Sequence, residues 1–235
     1  MNNEQTRIES LSDWYLNDQL DIDKLLIYYR YQSFKDVISG NHGLELGPAE
    51  GHMTQYLKSH FTTLTVVEGA KKLIDRIPDY ENVKKVHSLF EDYQPDQKFD
   101  FIIIDHVLEH VEDPIKVLSN AMKWLATNGT MVLGVPNANS LHRLVAVKMK
   151  LLSHQCQLNE RDVKVGHRRV YTPETFRADI DKSGLVLSEL RGVFLKPISN
   201  GQIQQMWDKN LIEGFYQLGK DFPEICAEML AIIKT

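Results

Sequence analysis

A continuous apolar run at residues 99–104 (FDFIII) constrains the fold of this chain more than any other segment. Such runs are typical of strands that are buried on both faces, as in a parallel sheet covered by helices. Weaker strand patterns recur before and after it, and segments with helical periodicity or helix caps separate them. This alternation predicts right-handed βαβ units and an α/β fold with a doubly wound, mostly parallel sheet and helices on both faces.

The same patterns place the individual elements of this predicted sheet. Asp113 and Pro114 are predicted to start the helix after residues 99–104, as its N-cap and first helical residue, and residues 128–129 (Asn-Gly) to end it. Seven strands are predicted, at residues 43–46, 64–67, 83–87, 99–104, 130–135, 186–194 and 227–233. Further helices are predicted at residues 27–38, 141–152, 173–183 and, as one amphipathic helix, 203–218.

Composition and charge argue against several classes of function. The formal net charge is −5, whereas proteins dedicated to nucleic-acid binding usually present a basic face. Cys156 and Cys226 lack the spacing of metal ligands and are consistent with a reducing compartment. The first ten residues are polar, and no apolar run approaches the about 20 residues that cross a bilayer. We expect a cytoplasmic protein with neither a membrane nor a nucleic acid as partner.

The loop after the first predicted strand, residues 45–51 (ELGPAEG), combines carboxylates with two glycines. Glycine permits a sharp turn and a close approach of a ligand to the backbone. A dinucleotide site would also use a glycine-rich loop here, but its spacing is G-x-G-x-x-G and it receives a pyrophosphate. Two unit charges about 5 Å apart repel by roughly 3 kcal/mol at an effective dielectric of about 20, so Glu45 and Glu50 favour a cationic ligand.

This loop resembles the first motif of the class I S-adenosylmethionine-dependent methyltransferases, (D/E)-x-G-x-G-x-G, at Glu45, Gly47 and Gly51, and departs from it at Ala49. The resemblance implies a Rossmann-like sheet and S-adenosylmethionine as cofactor. It also implies that Glu68, at the end of the second strand, binds both ribose hydroxyls, and that Phe90 packs near the adenine. The cofactor-binding residues predicted in this way are Glu45, Gly47, Pro48, Gly51, Glu68, Gly69, Phe90, Asp105 and His106.

A second motif follows the fourth strand, at residues 108–114 (LEHVEDP). It resembles the ubiquinone-biosynthesis O-methyltransferases and their relatives that modify sugars and small molecules, over about residues 40–190. For a hydroxyl acceptor, a histidine near neutral pH is the usual base. His110 is the first candidate and His167 the second, although either imidazole could instead hydrogen-bond backbone groups in a structural role.

Some relatives bind a divalent metal through E-x-x-E-H and a later histidine, among them small-RNA 2′-O-methyltransferases. The corresponding residues here are His106, Glu109, His110 and His167, a set that would suit zinc or iron better than magnesium. Most relatives with Glu-His at this position bind no metal, and we predict a metal-free site.

The resemblance divides residues 1–235, which we predict to be a single methyltransferase domain, into three parts. Residues 1–40 form N-terminal helices, residues 41–135 the cofactor-binding core, and residues 136–235 substrate-side insertions and the final strands. Acceptor specificity is expected from residues 14–31, 136–171 and 194–207, which include Trp14, His142 and Lys196.

The polar side chains of these segments suit O-methylation of a polar small molecule or saccharide. N-methylation of an amine, metal-assisted RNA 2′-O-methylation and a non-catalytic cofactor-binding module remain alternatives. A homodimer also remains open.

Overall fold

The computed structural model describes the backbone of residues 3–17 and 21–235 and the side chains of residues 3–12 and 22–235. The predicted contribution of Trp14 to the acceptor site lies outside these described side chains. Within the described residues, no helix has the length and apolar character needed to cross a membrane.

A seven-stranded sheet with the order β3-β2-β1-β4-β5-β7-β6 forms the centre of the molecule. Strands β1 to β5 are mutually parallel, and β7 runs antiparallel between β5 and β6. This confirms the predicted mostly parallel, doubly wound α/β sheet. The strands are β1 (His42–Leu46), β2 (Thr63–Glu68), β3 (Val83–His87), β4 (Phe99–Asp105), β5 (Leu125–Pro136), β6 (Leu187–Val193) and β7 (Glu228–Lys234).

Helices cover both faces of the sheet, as predicted. One apolar cluster joins β1, β4 and β5 to Leu118 of α5 and Phe176 of α8, and the other joins the opposite face to Phe34 of α2 and Ile212 of α10. The helices are α1 (Asn3–Asn17), α2 (Asp21–Phe34), α3 (Thr54–Leu57), α4 (Lys71–Ile74), α5 (Pro114–Trp124), α6 (Leu141–Lys148), α7 (Glu160–Val165), α8 (Pro173–Lys182), α9 (Asn200–Met206) and α10 (Lys209–Gly219), with 3₁₀ turns at Lys35–Val37 and Lys58–His60.

Helix α5 begins as predicted but ends earlier. The side chain of Asp113 accepts a hydrogen bond from the backbone N–H of Lys116, and Pro114 is the first helical residue. The predicted end at residues 128–129 is wrong, because Leu125 is already extended and pairs with Phe99 of β4. Burial of the Leu125 side chain in the core accompanies this early return of the chain to the sheet.

Two other helix predictions are also wrong in extent. The helix predicted at residues 141–152 ends at Lys148, and Leu151 beyond it is 67% exposed. The single helix predicted over residues 203–218 is two helices, since Trp207 is extended and Asp208 caps a new helix. Of the predicted apolar stripe, Ile203 is buried, whereas the exposed members are Met206, Leu211 and Leu218.

The carboxyl ends of β1, β2 and β4 open onto one large cavity, with the start of β7 beside them. Its volume is about 1390 Å³, and its lining comes from both ends of the chain as well as from the sheet. In open α/β sheets, ligands bind in the crevice outside the carboxyl ends of the strands. We therefore expect the ligands of this protein to bind in this cavity.

Candidate active site

The loop after β1 turns through three residues with left-handed backbone conformations. Gly47, Ala49 and Gly51 have φ values of 70°, 48° and 83°. The backbone N–H of Gly47 donates to Val67 at 2.9 Å, which ties the loop to β2. A side chain at Gly47 would place its Cβ 2.5 Å from Val107, so this position requires glycine. Ala49 adopts a left-handed conformation that disfavours any side chain.

Glu68 lies at the end of β2 and faces the cavity beside this loop. Its carboxylate accepts hydrogen bonds from the backbone N–H of Ala49 at 3.1 Å and of Ala70 at 2.9 Å. Burial raises the pKa of Glu68, although these backbone hydrogen bonds oppose the shift. Each carboxylate oxygen has a second lone pair, so Glu68 can also accept two hydroxyl groups of a ligand.

Most of the other cofactor residues predicted around β1 and β2 line the same cavity, whereas Gly51 does not and lies against Ile77. Glu45 is buried and accepts a 2.7 Å hydrogen bond from the Thr54 hydroxyl, and burial raises its pKa to about 8. Phe90 is partly buried and its ring lies next to Gly47. Pro48 and Gly69 complete this part of the lining. The arrangement brings together the predicted residues of β1 and β2 around a space that one extended ligand can fill.

Asp105, at the end of β4, belongs to a buried ion group that the sequence did not reveal. Arg30 of α2 donates from Nε to Asp105 at 2.7 Å and from Nη1 to both oxygens of Glu228 at 3.0 Å. Any side chain at Gly134 would collide with the Asp105 carboxylate. The other Asp105 oxygen, Oδ1, is buried and has no hydrogen-bond partner among the described residues.

His106 follows Asp105 and lines the cavity from a left-handed backbone position, with φ 56°. Its Nδ1 lies 3.4 Å from Glu109 Oε1 and its Nε2 lies 3.6 Å from Glu228 Oε1. Burial and the Arg30 charge hold its pKa well below the usual value. His106 is therefore a neutral imidazole between two buried carboxyl groups.

Glu109, His110 and His167 form a compact group in which one ligand atom of each lies within 4.8 Å of the others. Glu109 is fully buried, both of its oxygens lack a hydrogen-bond partner within the described part of the chain, and burial raises its pKa to about 8. The two imidazole rings meet edge to face, 4.7 Å between centroids. Burial lowers the pKa of His110 to about 3. Three of the four residues named above as possible metal ligands thus lie together, and the fourth, His106, lies beside Glu109.

His167 is held by Asp162, which sequence reasoning missed. Asp162 Oδ1 lies 3.1 Å from His167 Nδ1, and Arg143 and the backbone N–H of Asn159 bind Oδ2 at 3.0 and 2.9 Å. Burial opposes ionisation, but these hydrogen bonds lower the pKa of Asp162 to about 2. An ionised carboxylate only accepts, so Nδ1 of His167 donates to Asp162, and in the neutral ring Nε2 is the nitrogen that presents a lone pair. The sequence signal for Asp162 is its position three residues after Asn159, a spacing typical of a capping box at the start of a helix.

Sequence comparison relates residues 26–190 to a family described as a methyltransferase domain. An uncharacterized protein of Methanocaldococcus jannaschii is 23% identical over 184 residues, which cover 74% of this chain and 85% of that protein. The mitochondrial ubiquinone biosynthesis O-methyltransferase of Schizosaccharomyces pombe is 25% identical over 187 residues, 74% of this chain and 63% of that protein.

Solved structures share the fold at lower identity. The N-methyltransferase NodS of Bradyrhizobium japonicum, in complex with S-adenosylhomocysteine, matches with a TM-score of 0.61 and 18% identity, covering 100% of this chain and 99% of that one. A protein of Thermotoga maritima, described as a possible histamine N-methyltransferase, matches with a TM-score of 0.65 and 17% identity over 97% and 99% of the two chains.

Proposed function

Since this chain belongs to the methyltransferase domain family, we propose that it transfers the methyl group of S-adenosylmethionine to an oxygen of a polar small molecule or saccharide. The carboxylate of Glu68 is the observation that carries the donor assignment. It is fixed by two backbone N–H groups beside the left-handed loop at residues 47–51, and it faces the cavity. A ribose with two adjacent hydroxyls needs a bidentate acceptor of this kind.

The donor and the acceptor occupy different halves of the cavity in this proposal. Glu45, Glu68 and Phe90 line the half formed by the ends of β1 and β2, whose carboxyl groups suit a ligand with an ammonium and a sulfonium. Asp105 and His106, which the sequence assigned to the cofactor, line the other half together with His167, beside the carboxyl end of β4 and the start of β7. A volume of about 1390 Å³ leaves room for both molecules.

Methyl transfer is an in-line displacement that depends mainly on alignment of the two reactants. The acceptor oxygen forms a bond to the methyl carbon while the carbon–sulfur bond breaks, leaving S-adenosylhomocysteine. The hydroxyl proton of the acceptor passes to a base. His167 suits this role, because Asp162 holds its Nδ1–H and leaves the Nε2 lone pair for the proton. His110 suits it less well, since burial lowers its pKa to about 3.

Replacing His167 with Ala is expected to lower turnover about 100-fold or more, the usual contribution of a general base. Methyl transfer from labelled S-adenosylmethionine to a panel of hydroxyl and amine acceptors measures this, with calorimetry of S-adenosylhomocysteine to verify that the donor half is intact. His110→Ala tests the second base, and His60→Ala, at an exposed turn outside the cavity lining, is the control. Unchanged turnover in both active-site variants would contradict the base proposal and favour an amine acceptor.

A metal-assisted reaction is the second candidate, and it is favoured by the two buried oxygens of Glu109, which have no hydrogen-bond partner among the described residues. A buried carboxylate needs a cation or hydrogen-bond donors to remain charged. Glu109, His110 and His167 would hold a divalent ion, and imidazole and carboxylate donors suit zinc or iron. A bound ion would supply positive charge for an acceptor oxygen in the cavity.

Metal binding can be measured directly by titrating the chelator-treated protein with Zn²⁺ in a calorimeter. Glu109→Gln is expected to weaken Zn²⁺ binding about 100-fold or more, by loss of a carboxylate ligand, equivalent to about 2.7 kcal/mol. Glu112→Gln removes an exposed carboxylate three residues away and should leave binding unchanged. Equal affinity of the wild type and Glu109→Gln would exclude this set of ligands.

A further inference from the structure

We propose that the methyl acceptor carries a carboxylate group and that Lys196 binds it in the acceptor half of the cavity. The inference rests on the function proposed above and names the class of acceptor, a hydroxy acid. It depends on residues that hold neither the donor nor the reacting oxygen.

Lys196 lies between β6 and α9, and its side chain lines the cavity. Its Nζ donates to the Asn200 side-chain oxygen at 2.8 Å, and within the described side chains it forms no ion pair with a carboxylate. An ammonium has three N–H donors, so two of them remain for a ligand. Its backbone carbonyl accepts from the N–H of His142 at 3.0 Å, which fixes the segment that carries Lys196 against α6.

The two carboxylates whose charges act most strongly on Lys196 are hydrogen-bonded to other groups. Glu228 uses both oxygens to accept from Arg30. Asp23 accepts from Asn200 at 2.6 Å and from Arg161 at 2.7 Å. Lys196 loses hydration on burial, yet among the described side chains its Nζ contacts a neutral amide and forms no ion pair with either carboxylate. A ligand carboxylate in direct contact would supply that ion pair.

His142 extends this subsite with a second polar group. It lines the same cavity, its Nδ1 is buried, and that atom lacks a hydrogen-bond partner among the residues described. Burial and the charge of Lys196 lower the pKa of His142 to about 2, so the ring is neutral and can hydrogen-bond a ligand without adding charge. Lys196 and His142 together offer one positive charge and an adjacent polar ring.

One positive charge matches a carboxylate better than a phosphate dianion. Lysine binds anions as a single point charge, and a carboxylate carries one negative charge where a phosphate dianion carries two. Three guanidinium groups that line this half already bind carboxylates of the protein: Arg30 binds Asp105 and Glu228, Arg143 binds Asp162, and Arg161 binds Asp23. The carboxylates of Asp105 and Glu228 would repel a second negative charge on the ligand.

The test uses hydroxylated carboxylic acids paired with their primary amides, which share a skeleton and differ by one charge. Binding of each pair is measured by calorimetry, on the protein alone and with S-adenosylhomocysteine present. The acids are expected to bind about tenfold or more tightly than the amides, equivalent to about 1.4 kcal/mol. Lys196→Met should abolish this preference, Lys196→Arg should restore part of it, and Lys209→Met, an exposed change on α10, should leave it intact.

Three results would overturn the inference: amides binding as tightly as acids, no binding by any acid, or an unchanged preference for acids in Lys196→Met. Binding of S-adenosylhomocysteine is recorded separately in the same titrations. If the wild-type protein does not bind S-adenosylhomocysteine, the donor assignment is refuted. The preference for acids over amides, measured without S-adenosylhomocysteine, tests the role of Lys196 whether or not the donor assignment holds.

Discussion

Replacing Glu68 with Gln is expected to weaken binding of S-adenosylmethionine about 100-fold, or about 2.7 kcal/mol. The two side chains have the same shape, but an amide has one oxygen and one NH₂ group. The backbone N–H groups of Ala49 and Ala70 donate to opposite oxygens of Glu68. One of them would face the NH₂ group of the substituted side chain, while the ribose would lose a charged acceptor, and hydrogen bonds to charged groups contribute about 1.5–3 kcal/mol.

Calorimetry with S-adenosylmethionine measures this loss, and Glu81→Gln serves as the control because Glu81 is exposed and lies outside the cavity lining. Thermal unfolding of Glu68→Gln separates loss of binding from loss of the fold. An affinity equal to that of the wild type in a folded Glu68→Gln protein would remove the basis of the donor assignment.

Replacing Arg30 with Met is expected to lower the free energy of unfolding by about 3–5 kcal/mol at neutral pH. This is the usual cost of breaking a buried ion pair by removing one partner. Arg30 binds Asp105 and Glu228, and all three side chains are about 90% buried. Methionine fills similar space but leaves both carboxylates without their cation. Urea unfolding of the wild type and of Arg30→Met, with Lys35→Met as an exposed control, measures the difference.

The loss in Arg30→Met should depend on pH. Burial already raises the pKa of Glu228 in the presence of Arg30, and without that cation the shift becomes larger. A carboxyl whose pKa is raised by folding binds more protons in the folded state, so its contribution to stability falls as pH rises. The destabilisation should therefore be larger at pH 8 than at pH 5. Adding Glu228→Gln to Arg30→Met should recover part of it, and a pH-independent loss would contradict the buried-charge explanation.

The sheet was predictable because its central strands are buried on both faces and leave apolar runs such as residues 99–104 in the sequence. The position of Glu68 at the cavity was predictable for a related reason, since the residue ends a strand next to a recognisable loop. The helix ends were not predictable. Helix α5 ends before Leu125 because the Leu125 side chain packs in the core and its backbone pairs with Phe99, and this long-range contact has no local signal in the sequence.

The buried ion group of Arg30, Asp105 and Glu228 was not predictable from the sequence for the same reason. Arg30 lies 75 residues from Asp105 and 198 from Glu228 along the chain. No local spacing links residues on three separate elements, and only the finished topology brings them together. Asp162 was predictable in part. Its spacing from Asn159 indicates a helix cap, whereas its contact with His167 has no local signal in the sequence.

Strand β7 is the last strand of this sheet along the chain, so the sheet can be completed only after residues 228–234 have been synthesised. Residues 42–105, which carry Glu45, Glu68 and the loop between them, leave the ribosome early and contain strands that pair with one another. Glu228 lies on the strand of this sheet that is synthesised last, and that strand inserts between β5 and β6. A nascent chain, or one clipped before residue 228, would hold the donor loop yet leave Arg30 with half of its counter-charge. The half of the cavity that we propose for the acceptor thus needs a strand that is synthesised after all the strands of the half proposed for the donor.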